Sequence, residues 1–488
     1  MNSHSPSKEN YHEHHPHRSP AVASTLAATP RSRHRWWALA VLALAQFLVV
    51  LDASIVNIAL PSVGTALGLD TAALAWVVTA YVLPFGGLLL LGGRLADRFG
   101  HRRVFLIGVA GFALASLAAG LSVDGTMLLG ARAVQGAFAA LLAPASLALL
   151  TQLFPDSAAR GKALGLWGAV AGMGSAAGVL LGGVLTTSFG WPAVFFVNVP
   201  VGILVLAVNP FLITRDRIAA GERMDTAGAA TATLGLAAAV AALSEGGTLG
   251  WTHPIVLGLA VAAVVLLAAF VFVERRATHP LLPFGFFRNR DALAGDLVML
   301  VVGGATVALF FALSVYLQEV LHLDALSAGL SQLPLALALV GIAGGVPAIV
   351  SRAGLRPTLT GALVVLAAGV LWFALAGATG FVLGFLLPSV VIGLGLGATF
   401  VTATQLAVRG VPESESGLAS GLVNTAQQIG GALGLAVLGG IAAAQTSALA
   451  AGGASAAAAS AGGFLLLFLG VAVLAVIGAA FTVLVRRR

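Results

Sequence analysis

Apolar residues in this chain do not alternate with polar ones. They run in long blocks separated by short polar gaps. A bilayer-spanning helix takes about 20 consecutive mostly apolar residues. Fourteen blocks approach that length, at 37–60, 73–93, 104–122, 126–150, 162–187, 193–213, 226–243, 254–273, 292–318, 327–350, 358–376, 381–406, 417–443 and 463–485. The pattern predicts an all-α integral membrane protein with fourteen transmembrane helices. The seventh block is the weakest, being short, Ala-rich and poor in large side chains.

Charge decides whether that block is kept. The chain has 25 Lys and Arg residues, and all except Arg132 fall in the gaps. Threading fourteen helices with both termini on one side puts every gap cation on that side. The opposite loops carry only acids, such as Asp70, Asp124, Glu245 and Asp324. Dropping the seventh block alone would move Arg275, Arg276, Arg288 and Arg290 to the acidic side. Lys and Arg concentrate in cytoplasmic loops, so both termini are expected inside.

Composition agrees with a membrane protein. The chain is 59% hydrophobic and 9% charged, where soluble domains carry roughly 25% charged residues. Its pI near 10.9 does not point to nucleic acid, because the cations are scattered among inside loops. There is no Cys, which excludes disulfides and thiolate metal sites.

Residues 1–35 read as a disordered cytoplasmic tail rich in Ser, Pro and His, with no apolar core of a signal peptide. His12, His14, His15 and His17 in it imply no fixed metal geometry. Trp36 and Trp37 fall at the inner interface, and Trp76, Trp191, Trp251 and Trp372 at or near the outer one, as an aromatic belt requires. The Ala/Gly/Ser stretch 444–462 reads as a flexible outer connection, and Arg486, Arg487 and Arg488 as a basic tail.

A faint repeat divides the chain. The second block ends at Arg98-Phe99-Gly100-His101-Arg102, and the tenth at Arg352-Ala353-Gly354-Leu355-Arg356. Both follow the second helix of a six-helix set if blocks seven and eight form a central insert. The expected organisation is a six-helix bundle at 36–213, a two-helix insert at 214–273, a cytoplasmic linker at 274–291 and a second bundle at 292–485. Parallel halves of this kind occur in secondary transporters.

The loop after the second block reads in full Gly93-Arg94-Leu95-Ala96-Asp97-Arg98-Phe99-Gly100-His101-Arg102-Arg103. Gly100 and the arginines make an ordinary inside turn. Asp97 is not needed for that, and a carboxylate there can pair with arginines or a helix N-terminus. This stretch resembles the signature loop of the major facilitator superfamily. Three further segments narrow the resemblance to its fourteen-helix drug:proton antiporter branch: Leu51-Asp52 through Pro61, Arg132 with Gln135 and Gly136, and Gly417 through Gly431. The fifth block resembles that branch's antiporter motif, with Gly165, Gly174, Gly178, Gly182 and Gly183 at matching spacing. Such glycines make a flat helix face for close packing. The branch has Pro where this chain has Val179, and Arg where it has Pro192. The first departure puts in question a kink in the fifth helix, the second the outer entrance of the sixth.

Charges inside the apolar blocks are the candidate chemistry. Asp52 lies about 12 Å from the outer end of its helix and Arg132 about 9 Å from the outer end of its own, at 1.5 Å per residue. Similar depth, together with the first and fourth helices being neighbours in the fold that the resemblance implies, makes them candidate partners, directly or through water. They read either as a proton-coupling pair, with Asp52 taking the proton and Arg132 tuning it, or as a fixed structural ion pair. Asp296, a few residues into the ninth helix, is a candidate second acidic site or an interfacial group beside Arg288 and Arg290. Asn57, Gln135, Tyr81 and Tyr316 are candidates for lining a cavity, and Glu319 for capping the outer end of the ninth helix. Gly93, Asp97, Arg98, Gly100 and Arg102 form the candidate conformational-switch loop.

The resemblance implies a proton-coupled exporter of hydrophobic or amphipathic small molecules, driven by the proton gradient without a cofactor. The Ala/Gly/Leu/Arg bias of the chain points to a bacterium, hence to its cytoplasmic membrane, and a monomer is expected. No P-loop and no nucleophile–base pair is visible, so an enzyme is not expected. A dedicated exporter of one metabolite or self-made antibiotic, and a non-transporting membrane sensor or scaffold, remain the alternatives.

Overall fold

A computed structural model of the chain describes residues 32–154, 157–213, 226–277, 286, 288–376, 382–411 and 416–485. Among them the spanning helices are α1 Ser32–Leu67, α2 Thr71–Phe99, α3 His101–Gly120, α4 Gly125–Leu153, α5 Ser157–Phe189, α6 Asn198–Leu212, α7 Thr226–Leu249, α8 Pro254–Arg276, α9 Arg290–Val315, α10 Ala325–Ala343, α11 Leu355–Leu375, α12 Leu387–Ala407, α13 Ser416–Ala451 and α14 Ala456–Phe481. A one-turn helix, Ala193–Phe196, precedes α6, and a second short helix, Val346–Ala353, follows α10. Wide π-helical turns extend α9 at Tyr316–Val320 and open α12 at Val382–Leu386. The fold is all-α, as hydropathy predicts. The His-bearing tail, half of the linker 274–291 and the basic tail 486–488 lie outside the described residues.

The halves repeat one packing scheme. In the first, α1 packs on α5, α2 on α4, α3 on α4, and α6 on α1 and α3. In the second, α9 packs on α13, α10 on α12, α11 on α12, and α14 on α9 and α11. Between the halves the equivalents cross over, α2 on α13 and α5 on α10. The repeated loop is preserved in its backbone too. Gly100 and Gly354 both adopt positive φ, 92° and 86°, a conformation that glycine takes without a Cβ penalty. The insert sits at the edge. Helix α7 packs on both α2 and α13, covering that seam, while α8 packs on α7 and is otherwise largely exposed.

Helix starts explain the acids at one end of the bundle. Asp70, Asp124 and Asp324 are N-caps, accepting from the amides of Ala73, Met127 and Ser327. A capping carboxylate satisfies an orphan amide and meets the positive end of the helix dipole. Hydrogen bonds from the Ser327 hydroxyl and amide hold the Asp324 carboxyl below its ordinary value.

The stretch 444–462 is not an open loop. Helix α13 continues to Ala451, and α14 starts at Ala456 behind the Ser455 cap. Alanine has the highest helix propensity, so this run extends the helices and leaves the break to Gly452 and Gly453. The short tail boundary also moves, since α1 begins at Ser32. Helix α5 runs unbroken through Val179, which is buried against Ile58 and Ala325.

Glycine contacts set how closely the helices approach. A Cβ on Gly430 of α13 would fall on the Leu300 carbonyl of α9, and one on Gly303 of α9 on the Gln427 carbonyl. Gly258 of α8 has nothing within 4 Å of its Cβ position. Gly430→Ala should therefore lower stability by about 1–3 kcal/mol through overpacking. Gly258→Ala should change it by no more than about 0.5 kcal/mol. Thermal melts of the two purified variants check this.

Candidate functional site

Arg132 is the largest fully buried side chain in the described structure, with 1% of its surface exposed. A guanidinium in that position needs its donors met from all sides. Its Nη1 donates to Asp52 Oδ2 at 2.5 Å and to Gln135 Oε1 at 2.8 Å. Its Nε donates to the Val77 carbonyl at 3.2 Å. Its flat face lies 4.3 Å from the Tyr81 ring centroid and 5.9 Å from that of Phe195. Helices α1, α2 and α4 and the turn before α6 all contribute.

Asp52 is equally enclosed, at 0% exposure. Besides Arg132, its Oδ1 accepts from Gln135 Nε2 at 2.8 Å and from Asn198 Nδ2 at 2.9 Å. Asn198 also donates to the Ser116 hydroxyl, which in turn donates to the Phe195 carbonyl. The result is a polar layer, one member each from α1, α3 and α6 and two from α4, in otherwise apolar packing. Three nitrogen donors on two carboxylate oxygens make a charge-assisted set.

The expected partnership of Asp52 and Arg132 is thus a direct contact. Asn198 and Ser116 were not picked out from the sequence. A signal for Asn198 existed, since it is one of two amides in the apolar run 193–213 and lies about 5 residues into its span, near the depth of Asp52 and Arg132.

The cavity-lining candidates sort differently from expectation. Tyr81 is buried beneath Arg132, and Gln135 is a member of the ion-pair cluster, so neither faces an open cavity. A dehydrated guanidinium attracts an aromatic face, which draws Tyr81 into the cluster. Tyr316 sits in an edge-to-face group with Phe373, Phe464 and Phe468, inside the second bundle. Asn57 donates to the Ala53 carbonyl and offers its own carbonyl to Ser314 across the halves.

That last contact belongs to a closed seam at the acid-bearing end. Gln318 donates to the Ile58 carbonyl at 3.0 Å. The antiporter-motif glycines divide between two neighbours. Gly174, Gly178 and Gly182 pack on α1 at Phe47, Ser54 and Ile55, whereas Gly183 packs on Ala325 and Leu326 of α10. Gly329 of α10 in turn meets the Val179 carbonyl. The surroundings of Gly165 lie outside the described residues. Above the seam is a cavity of about 420 Å³ lined by Ser62, Thr65, Thr186, Gln318, Glu319 and Asp324, among others. Glu319 therefore lines this cavity rather than only capping a helix end.

The switch-loop candidates stand at the opposite end. Asp97 Oδ1 lies 3.1 Å from His101 Nε2, and Gln152 of α4 lies 3.1 Å from His101 Nδ1. Arg102 Nε donates to Asn209 of α6 at 3.4 Å. Arg98 lies over the Phe99 ring, and a Cβ on Gly93 would stand 3.9 Å from Pro144 of α4. Pro192 opens the one-turn helix that carries Phe195, whose ring faces Arg132.

A family model described as Major Facilitator Superfamily matches residues 42–435. The chain belongs to the major facilitator superfamily. It is a multi-pass membrane transporter. It is 44% identical to the puromycin resistance protein pur8 of Streptomyces alboniger, over 88% of this chain and 85% of that one. It is 40% identical to the cephamycin export protein CmcT of Amycolatopsis lactamdurans, over 87% and 88%. Its fold is like that of a bacterial homologue of the human lysosomal transporter Spinster, at TM-score 0.68 and 16% identity, covering 93% of this chain and 97% of that one.

Removing one donor from Asp52 tests the layer. Asn198→Leu should cost about 1–3 kcal/mol by leaving buried acceptor capacity unmet. A double-mutant cycle of Asn198→Leu with Asp52→Asn should show a coupling on the order of 0.5–3 kcal/mol. Denaturation of the purified variants in detergent reads both, and additivity would mean that the contact carries no energy.

Proposed function

We propose that this transporter is a proton-coupled exporter of hydrophobic or amphipathic small molecules of the antibiotic class. It works by alternating access between its two halves. The observation that carries the reading is the enclosed Asp52–Arg132 pair, held in the first bundle by donors from α4 and α6. Arg132 stays charged at any working pH, so Asp52 is the member that can change protonation. A proton on Asp52 cancels its attraction for Arg132 and weakens the link between α1 and α4. Arg132 keeps Gln135, the Val77 carbonyl and the Tyr81 face, so it is not left stranded. One relative is named for export of cephamycin and the other for resistance to puromycin, which supports antibiotics as the cargo.

The seam at the acid-bearing end supports an orientation as well. With the arginine-bearing loops in the cytoplasm and both termini inside, the contacts of Asn57 with Ser314 and of Gly183 with Ala325 close the outer side. The protein is then in the cytoplasmic membrane of a bacterium, with its outer side shut in this conformation. The switch loop, with Gly93, Asp97, Arg98, Gly100 and Arg102 at the inner ends of α2 and α3, rearranges as the halves rock. We read the protein as a monomer with no cofactor.

A second reading has its own support. Both relatives are named for a single compound or compound class, which favours a dedicated exporter of one antibiotic over a broad one.

Energised inside-out vesicles should release protons when a panel of antibiotics and lipophilic cations is added. Asp52→Asn should abolish that release while leaving substrate binding measurable. Release unchanged in the variant would remove Asp52 from coupling and leave the pair as a structural one. The absence of native Cys permits a second test. Cysteines at Asn57 and Ser314, joined by a short bifunctional thiol reagent, should block transport by holding the outer seam shut. Full activity after cross-linking would rule out opening there.

A further inference from the structure

Asp296 is another carboxyl buried in a spanning helix, and its surroundings are the reverse of those of Asp52. Its side chain is 7% exposed. Both carboxyl oxygens are buried and have no hydrogen-bond partner among the described residues. It stands one helix turn beyond Ala292, which packs with Phe286, Ala419 and Leu422 in a small apolar plug. Leu90 of α2 and Val408 and Val411 after α12 close that plug. Beside it, Gly295 is pressed against the Ala407 backbone.

No charge faces Asp296 from the helices packed around it. The described parts of α10, α12, α13 and α14, and the turn 482–484, contain no acid, base or His. Helix α1 meets α9 through Asn57 and Ser314 at the opposite end. On α9 itself, Arg290 is exposed, and Asp291 lies 3.8 Å from Arg409. Arg94 of α2, a turn beyond Leu90, has an interaction of its own, and neither Asp296 oxygen has a hydrogen-bond partner among the described residues.

An ionised carboxylate without a partner costs several kcal/mol in such a setting, so the group neutralises by taking a proton. A hard metal cation would need about six oxygen ligands, and no cluster of acids or His surrounds this site among the described residues.

We propose that Asp296 is a second proton-binding carboxyl, located in the C-terminal bundle and loaded while the outer seam is shut. Leu90 is the plug's member from the first bundle. A rocking motion that slides α2 along α13 withdraws Leu90 and admits water from the arginine-bearing side. The carboxylic O–H then breaks, and its proton passes to that water. The use of this proton in transport rests on the coupling reading above, whereas its presence on Asp296 does not.

Infrared spectroscopy of the purified protein in lipid nanodiscs at neutral pH tests the site. The carbonyl stretch of a protonated carboxyl should be present in the wild type and in Asp52→Asn. It should be lost in Asp296→Asn, which replaces one neutral group by another and so should melt close to the wild type. No such band in the wild type, or the same band in Asp296→Asn, overturns the proposal. Substrate gradients at a fixed pH gradient test its use. With one proton fewer per cycle and two in the wild type, Asp296→Asn should reach about the square root of the wild-type gradient. An unchanged gradient shows that the Asp296 proton is not transported and overturns that part. A wild type that builds no proton-dependent gradient defeats the coupling reading, while the infrared difference still decides Asp296.

Discussion

Burying a guanidinium in apolar packing sets the terms for the rest of this structure. Arg132 cannot be neutralised, so the surrounding helices must bring partners to it. Asp52 supplies the opposite charge, Gln135 and the Val77 carbonyl take the other donors, and Tyr81 supplies a π face. Asp52 then needs donors of its own, which Gln135 and Asn198 provide. One intramembrane charge thus fixes residues on α1, α2, α4 and α6 relative to one another. The second bundle has no equivalent cation at that position. Its interior at Tyr316 is an aromatic group held by ring contacts. The two halves share a packing scheme but not a chemistry.

Glycine is the second constraint. Apolar helices gain little from one another by hydrophobic burial inside a bilayer, so close backbone approach and dispersion carry the association. The pairs Gly303 with Gln427, and Gly430 with Leu300, bring α9 and α13 together in that way. The same device appears on the seam between the halves, where Gly183 and Gly329 let α5 and α10 cross. A seam of small residues and two polar contacts, from Ser314 and Gln318 to backbone carbonyls, is a surface that can separate without exposing a large apolar face. The contrast with the charge cluster is physical. The cluster ties helices of one bundle together, and the seam joins one bundle to the other.

Most of the architecture was legible because the bilayer acts on short, local properties of the chain. Length of apolar runs, the side on which arginines fall and the Gly100–Gly354 repeat are all readable without knowing any contact. The depth argument for Asp52 and Arg132 worked for the same reason, since rise per residue is fixed in a helix. It stopped short of Ser116 and Asn198, because a serine or an amide in an apolar helix can satisfy itself on its own backbone. Only the neighbouring carboxylate makes those residues members of a site. For Tyr81 the sequence left open a cavity position or a contact across helices, because direction around a helix axis depends on which partner the ring meets. The stretch 444–462 was misread as a flexible loop because its glycines and serines outweighed its alanines in the reading, while in the fold the alanines extend two packed helices.

The chain by itself determined that it crosses a membrane many times, which end bears the cations and which few ionisable groups lie within. Those follow from the free energy of moving each residue between water and hydrocarbon, a property of the residue and its near neighbours. Tertiary structure alone decided that Asp52 is surrounded by donors while Asp296 has none among the described residues. Both are aspartates in apolar helices, and nothing local separates them. The difference comes from which helices pack beside each one, and that is settled only when all the spans are assembled.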